Sequence, residues 1–330
     1  MDIREAHIAQ QWTYSSPLLA CRFAPDGQQL VSSAEDSTLQ RWDLSNGEQA
    51  VLRGHESWVH AIQFTSPGEQ LISGGCDGRL IWWPIADATP QPLRKLDAHA
   101  GWIRALDLHP HGQQLVSVGN DLMIRLWDVD TGEKMAEWKG HDKHIYSVAF
   151  HPQGDQLLSG DLSGTLKLWD LASKQLVRQF DAQTLHSYKS HGNQPVDFGG
   201  IRDLTLLPTA GHLLAGGLHK ATNPLGAVHE PLVLRFGLDT GELLHSHHCE
   251  GIPQGMVGRL KGLPDGTAMA LCSGGSGSFL LFFDHSQEKD VHRFKLPTIA
   301  RDMDWHAASE RVATAHYDRQ LRIIPLFAKS

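Results

Sequence analysis

Gln114-Leu115-Val116-Ser117, then Met123-Ile124-Arg125-Leu126-Trp127-Asp128, then Asp130-Thr131-Gly132 is the stretch that decides the fold. Its apolar runs are four to six residues long, too short for helices, and polar turns separate them. The design recurs along the chain. Arg41-Trp42-Asp43 and Leu168-Trp169-Asp170 close two similar runs, and Ile81-Trp82-Trp83-Pro84 closes another with Pro in place of Asp. Arg235-Phe236-Gly237, Phe282-Phe283-Asp284 and Ile323-Ile324-Pro325 are weaker endings of the same kind. The closing positions are 42, 83, 127, 169, 236, 283 and 324, at intervals of 41, 44, 42, 67, 47 and 41. Such a period marks an array of supersecondary units. There are seven, and the fifth is about 25 residues too long.

Within each unit a first strand ends near Phe23, Phe64, Leu108, Phe150, Leu206, Leu263 or Trp305. Turns follow at Pro25-Asp26-Gly27, Pro67-Gly68, Pro110-His111-Gly112, Pro152-Gln153-Gly154, Pro208 to Gly211 and Pro264-Asp265-Gly266. Proline fixes φ and glycine supplies φ > 0, so these are tight reversals. The seventh unit has His306-Ala307-Ala308-Ser309 there. Four short antiparallel strands per unit make a propeller blade. The expectation is an all-β chain of seven four-stranded blades.

Gly54-His55 precedes Trp83, Ala98-His99 precedes Trp127-Asp128, and Gly140-His141 precedes Trp169-Asp170 at like spacing. On these residues the chain resembles the WD40-repeat β-propeller family over essentially its whole length. The resemblance implies one domain over residues 1–330, seven blades around a channel, and a scaffold or recognition role. The extra length of the fifth unit falls at about 181–200 and 218–231. After Ile324 too little chain remains for a fourth strand in the last blade. Ile3 to Thr13 reads as a strand, and the resemblance implies that it closes the ring there, covering an edge that would otherwise invite aggregation.

Composition narrows the function classes. The chain has 330 residues, 41% hydrophobic and 20% charged, with 29 Lys+Arg against 37 Asp+Glu and a net charge of -8. The acidic balance speaks against a general nucleic-acid binder. Its longest aliphatic and aromatic run, Phe279 to Phe283, is too short to span a bilayer. The start, Met1-Asp2-Ile3-Arg4-Glu5, has no apolar signal region. Four scattered cysteines (Cys21, Cys76, Cys249, Cys272) fit a reducing compartment, so a cytoplasmic location is expected.

Several constellations look like chemistry. His55, Ser73 and Asp77 invite a catalytic-triad reading, and so do His99, Ser117 and Asp121. With Trp83 and Trp127 they repeat at matching offsets, and catalytic triads do not normally come in copies. The resemblance implies a structural Asp–His–Ser–Trp hydrogen-bond network instead, for which these donors and acceptors are suited. The fourth unit keeps His141, Ser159 and Trp169 but shows Ser163 where the acid is expected. The first has Asp36 and Trp42 with Tyr14 at the His position. Units five to seven lack the network and are expected to rely on apolar packing. In His245-Ser246-His247-His248-Cys249, alternate residues share a face and offer zinc ligands. The segment falls on an outer strand, where polar residues are ordinary edge protection, and no metal site is assigned. The long fifth unit carries His186, His191, His219 and His229 with Tyr188, Lys189 and Lys220, either as a functional surface or as decoration.

The last constellation is a ring. In the family, the residue four places before the end of each first strand is bulged at the channel mouth. Here the series is Leu19, His60, Arg104, Tyr146, Arg202, Arg259 and Arg301, and two residues earlier it runs Pro17, Trp58, Trp102, His144, Gly200, Val257 and Ile299. Arginine and tryptophan are enriched at binding hot spots. The alternative is a rim in which each arginine pairs with a turn acid such as Glu35. The reading reached is a non-enzymatic platform that binds a protein or peptide segment, acidic or phosphorylated, through Trp58, His60, Trp102, Arg104, His144, Tyr146, Arg202, Arg259 and Arg301, with no cofactor. Its rival is a metal-dependent propeller hydrolase with an ion in the channel, which needs inward acids or amides at equivalent depth.

Overall fold

A computed structural model describes residues 1–66, 68–191, 194–207, 211–221 and 229–328. The turn at Pro67, most of the turn from Pro208, the tip of the second insertion (222–228) and the side chains of Lys189 and His191 lie outside the described residues. Seven antiparallel sheets of four strands form, together with one two-stranded hairpin. They are the seven blades of an all-β propeller. Contacts divide the chain into two compact units, residues 1–139 with 300–330, and residues 140–299. The first holds blades one, two, three and seven, and the second holds blades four, five and six.

Blade two shows why these residues become strands. Its strands are Val59–Phe64, Gln70–Gly75, Arg79–Pro84 and Arg94–Asp97. The second and third are buried almost throughout, because a blade's inner strands are covered on both faces. Their apolar runs therefore do not alternate. The outer strand does alternate between half-buried and exposed residues. Leu71, Ile81 and Trp83 pack with Val31, Leu39 and Leu52 of blade one in a continuous core. Burying each such side chain contributes about 1.5–3 kcal/mol. The turn between second and third strands demands a left-handed residue in at least five blades: Ser37, Gly78, Leu122, Gly164 and Arg319 all have φ between 66° and 78°.

The last blade takes its outer strand from the start of the chain. Gln10–Thr13 pairs antiparallel with Gln320–Pro325, setting Gln10 opposite Ile323 and Thr13 opposite Gln320. This strand is shorter than the expected Ile3 to Thr13. Ile3–Glu5 is a 3-10 turn, because the Asp2 carboxylate accepts from the Arg4 amide at 3.0 Å and diverts the backbone from pairing. The clasp still reaches further, since the Asp2 amide donates to the Leu326 carbonyl at 2.7 Å. Inside the same unit the buried Asp302 carboxylate accepts from the Cys21 amide at 2.9 Å and from Arg22 at 3.0 Å, tying blade seven to blade one.

The long fifth unit is partly regular structure. His186–His191 and Gln194–Gly199 form the two-stranded hairpin, with the His186 ring 2.7 Å from Asp197 and Lys143 donating to the same carboxylate at 3.1 Å. The second insertion is narrower than 218–231. Strands His212–His219 and Glu230–Gly237 run eight residues each, so Leu218 and Pro231 are paired partners.

Candidate interaction surface

Each triad-like cluster is a closed hydrogen-bond chain. The Trp83 indole donates to Ser73 Oγ at 2.8 Å, Ser73 lies 2.7 Å from His55 Nε2, and His55 Nδ1 lies 3.0 Å from Asp77. A carboxylate only accepts, so His55 carries its proton on Nδ1 and Ser73 donates to Nε2. Blade three repeats the chain through Trp127, Ser117, His99 and Asp121. Asp77 and Asp121 also accept the Glu56 and Ala100 amides, which fixes the strand entrance. Burial pushes the Asp77 carboxyl up, but His55 and the amides outweigh it and hold it below its ordinary range. His99 is held down chiefly by burial, against the pull of Asp121.

The fourth blade corrects the sequence reading. Its acid is Asp161, two residues before Ser163 and 2.9 Å from His141 Nδ1, and Ser163 donates its hydroxyl to that carboxylate at 2.8 Å. The chain continues through Ser159 to Trp169. Blade one runs a longer relay: Tyr14 donates to Asp36, Thr38 to Asp36, Gln40 to Thr38, Ser32 to Gln40 and Trp42 to Ser32, all within 2.9 Å.

The bulge positions differ between blades. In the first unit the register shifts at Leu19, His60, Arg104 and Arg301. Leu19 is buried and absent from the surface. Trp58 and Trp102 are 41% and 40% exposed. The Arg104 guanidinium stacks 4.4 Å over Trp102 and donates to Asn120 at 2.9 Å. The Trp58 indole donates to the Glu35 carbonyl at 3.1 Å, and its ring meets His60 edge-on at 6.4 Å. Arg301 pairs with the Glu35 carboxylate at 2.8 Å and lies 4.8 Å over exposed Tyr317. That ion pair is the rim arrangement foreseen as the alternative.

In the second unit Tyr146 is the bulged residue of blade four, beside exposed His144. Arg202 stacks between Tyr146 at 4.6 Å and Phe198 of the hairpin at 5.8 Å. It precedes its strand, and the pairing of blade five shows no register shift. In blade six the shift leaves Gly258 as the extra residue. Arg259 is paired with Leu271 and has its guanidinium 3.9 Å from Asp203. The strand ends at Gly262 and not Leu263, so counting back from its end overshot by one. Arg259 is thus not equivalent to Arg104 or Arg301.

Comparison with known families matches the description "WD domain, G-beta repeat" to residues 8–43, 47–84, 90–128 and 132–170. The matched segments end where the Trp-Asp endings stop, and the blades continue beyond them. The chain belongs to the WD40-repeat β-propeller family. Propellers of this family are typically protein-interaction scaffolds and usually non-enzymatic. No curated protein matches the chain.

Blades five and seven of this WD40 propeller add buried polar groups to the expected apolar packing. Blade five buries Arg235 completely, with Nε donating to His247 at 3.2 Å. His247, read as an exposed edge residue, is fully buried against Phe283, and Cys249 is buried too. A buried guanidinium needs acceptors, and His247 supplies one. Blade seven buries His316, bonded to Thr314 at 2.8 Å, and pairs Arg322 with Asp318 at 2.6 Å. Blade six does fit the expectation, with Val257, Leu260, Ala270, Leu281 and Phe283 in one apolar cluster. Among the described residues no three His, Cys, Asp or Glu side chains converge as a metal-holding group.

Proposed function

We propose that this WD40 propeller is a non-enzymatic scaffold that docks a protein or peptide segment on the bulge surface of its first unit. The observation that carries the reading is the exposure of Trp58 and Trp102 at the same place in neighbouring blades. Trp58, held at its indole edge by the Glu35 carbonyl, and Trp102, backed on one face by Arg104, offer an anchor for an apolar or aromatic side chain. Arg104 suits an acidic residue beside that anchor, since a guanidinium binds carboxylate or phosphate through a bidentate fork. Arg301 is matched by Glu35 and adds less charge. His144, Tyr146, Arg202 and Arg259 belong to the second unit and are candidates on that unit.

The non-enzymatic part of the reading rests on the serine oxygens. Ser73, Ser117 and Ser159 are fully buried, and each already accepts an indole N–H. A cytoplasmic location is part of the same reading, supported by four buried cysteines that form no disulfide.

Affinity capture followed by cross-link mapping tests the proposal. The footprint should fall on Trp58, Trp102 and Arg104. Trp58→Ala or Trp102→Ala should weaken binding by about 2 kcal/mol, roughly thirtyfold, with the fold retained. Arg104→Ala should also flatten the salt dependence. A footprint elsewhere, with these variants binding normally, would overturn it.

A further inference from the structure

Blade five holds its buried cation in an unusual way. Arg235 is hydrogen-bonded to two imidazoles and a peptide carbonyl. Nε donates to His247 Nε2 at 3.2 Å, one terminal nitrogen to His212 Nδ1 at 3.3 Å, and the other to the Asp284 carbonyl at 3.2 Å. The Asp284 carboxylate is turned to Ser286, accepting its amide and hydroxyl at 2.8 Å and 2.7 Å. Only an unprotonated ring nitrogen can accept, so both imidazoles must be neutral, while an arginine never gives up its proton. Protonating either ring removes an acceptor and sets a second cation against a fully buried one.

The three residues join three strands of the blade. His212 opens the second strand, Arg235 lies on the third, and His247 on the outer strand Leu243–His248. We propose that Arg235, His212 and His247 form an acid-sensitive latch that holds this outer strand in place in neutral solution and releases it as the solution acidifies.

The surroundings favour this. Burial, then Arg235 and His245, push the His247 ring down to about 4, although the Gln287 and Glu288 peptide groups pull the other way. Burial, then Arg235, His285 and His245, lower His212 as well. Burial lowers Arg235 itself, and Asp284 opposes this from a distance. A histidine lowered in the folded state takes up its proton on opening. The latch is therefore at full strength above the ordinary histidine range, near 6.5, and is lost as pH falls toward about 4. Each proton taken up steepens opening by up to about tenfold per pH unit.

The test is hydrogen exchange of the Leu243–His248 amides in the full-length protein between pH 7 and 5, corrected for intrinsic exchange. The outer strand of blade four, Leu176–Asp181, is the internal control. Protection of Leu243–His248 should fall with acid by several-fold per pH unit more than the control. His247→Gln keeps an acceptor that cannot titrate and should flatten the difference. Should that variant fail to fold, the half-buried His212→Gln decides, and it should make the profile shallower. A parent strand no more acid-sensitive than the control, or a His212→Gln profile as steep as the parent's, overturns the proposal.

Discussion

Asp161 Oδ2 stands 2.9 Å from His141 Nδ1, and Asp161, not Ser163, supplies the acid of the fourth blade. Its other oxygen accepts the Ser163 amide, the Ser163 hydroxyl and the Thr165 amide within 2.9 Å. The turn and the network are therefore one structure. Ser163→Asp, which sequence alignment of the blades would suggest as a repair, should instead destabilise. It exchanges a donor for a second carboxylate beside Asp161, at a cost of about 1–3 kcal/mol. Urea unfolding at pH 7 measures this, and a raised midpoint would contradict it.

His99→Ala and Asp77→Ala should each lower stability by about 1–3 kcal/mol, by leaving a buried partner unsatisfied. They should change no turnover. The pH signs are separate. Asp77 is lowered in the fold, so its contribution is present above the unfolded value of 3.8 and is lost as pH falls below it. His99 is also lowered, so the unfolded chain binds more protons below 6.5 and stability declines from there downward. Thermal melts between pH 8 and 4 should show a shallower decline near pH 6 in His99→Ala. An identical slope in parent and variant would contradict this.

Leu122 holds φ at 71° in the turn where blades two and four place Gly78 and Gly164. A left-handed branched side chain costs about 1–2 kcal/mol, partly offset by glycine's greater freedom when unfolded. Leu122→Gly should stabilise by about 0.5–1 kcal/mol, read as a rise in the urea midpoint. Gly78→Leu should do the reverse and more strongly, because a Cβ there meets the His99 carbonyl.

Deleting residues 1–13 should lower the melting temperature of the whole chain. It removes the outer strand of blade seven and the packing of Trp12 on Trp42, whose rings lie 6.4 Å apart. An unchanged midpoint would mean that the clasp contributes nothing.

The blades were legible because their turns and Trp-Asp endings are local signals repeated at one period. The network was legible where His, Ser, Asp and Trp keep their offsets. It failed in blade four because Asp161 reaches the same ring from two residues earlier, which only backbone geometry reveals. Arg235 and His247 escaped because a charged residue in a weak repeat carries no sign of its burial. Arg259 was misplaced by a single glycine, Gly258, taking the bulge. Such register slips are invisible without the pairing partners. Tyr317 and Phe198 were missed as stacking partners because each comes from a different strand or hairpin than the arginine it covers.

The pairing of Gln10–Thr13 with Gln320–Pro325 also has a meaning for biosynthesis. Thr13 and Gln320 bond side chain to side chain across 307 positions of sequence. At about 5–20 residues per second, the first strand leaves the ribosome about 15–60 seconds before its partner exists. During that interval Trp12 and its neighbours have no sheet to join. Completion of the last blade thus waits for Gln320–Pro325 to emerge, and any N-terminal fusion would have to travel with the strand into its final place.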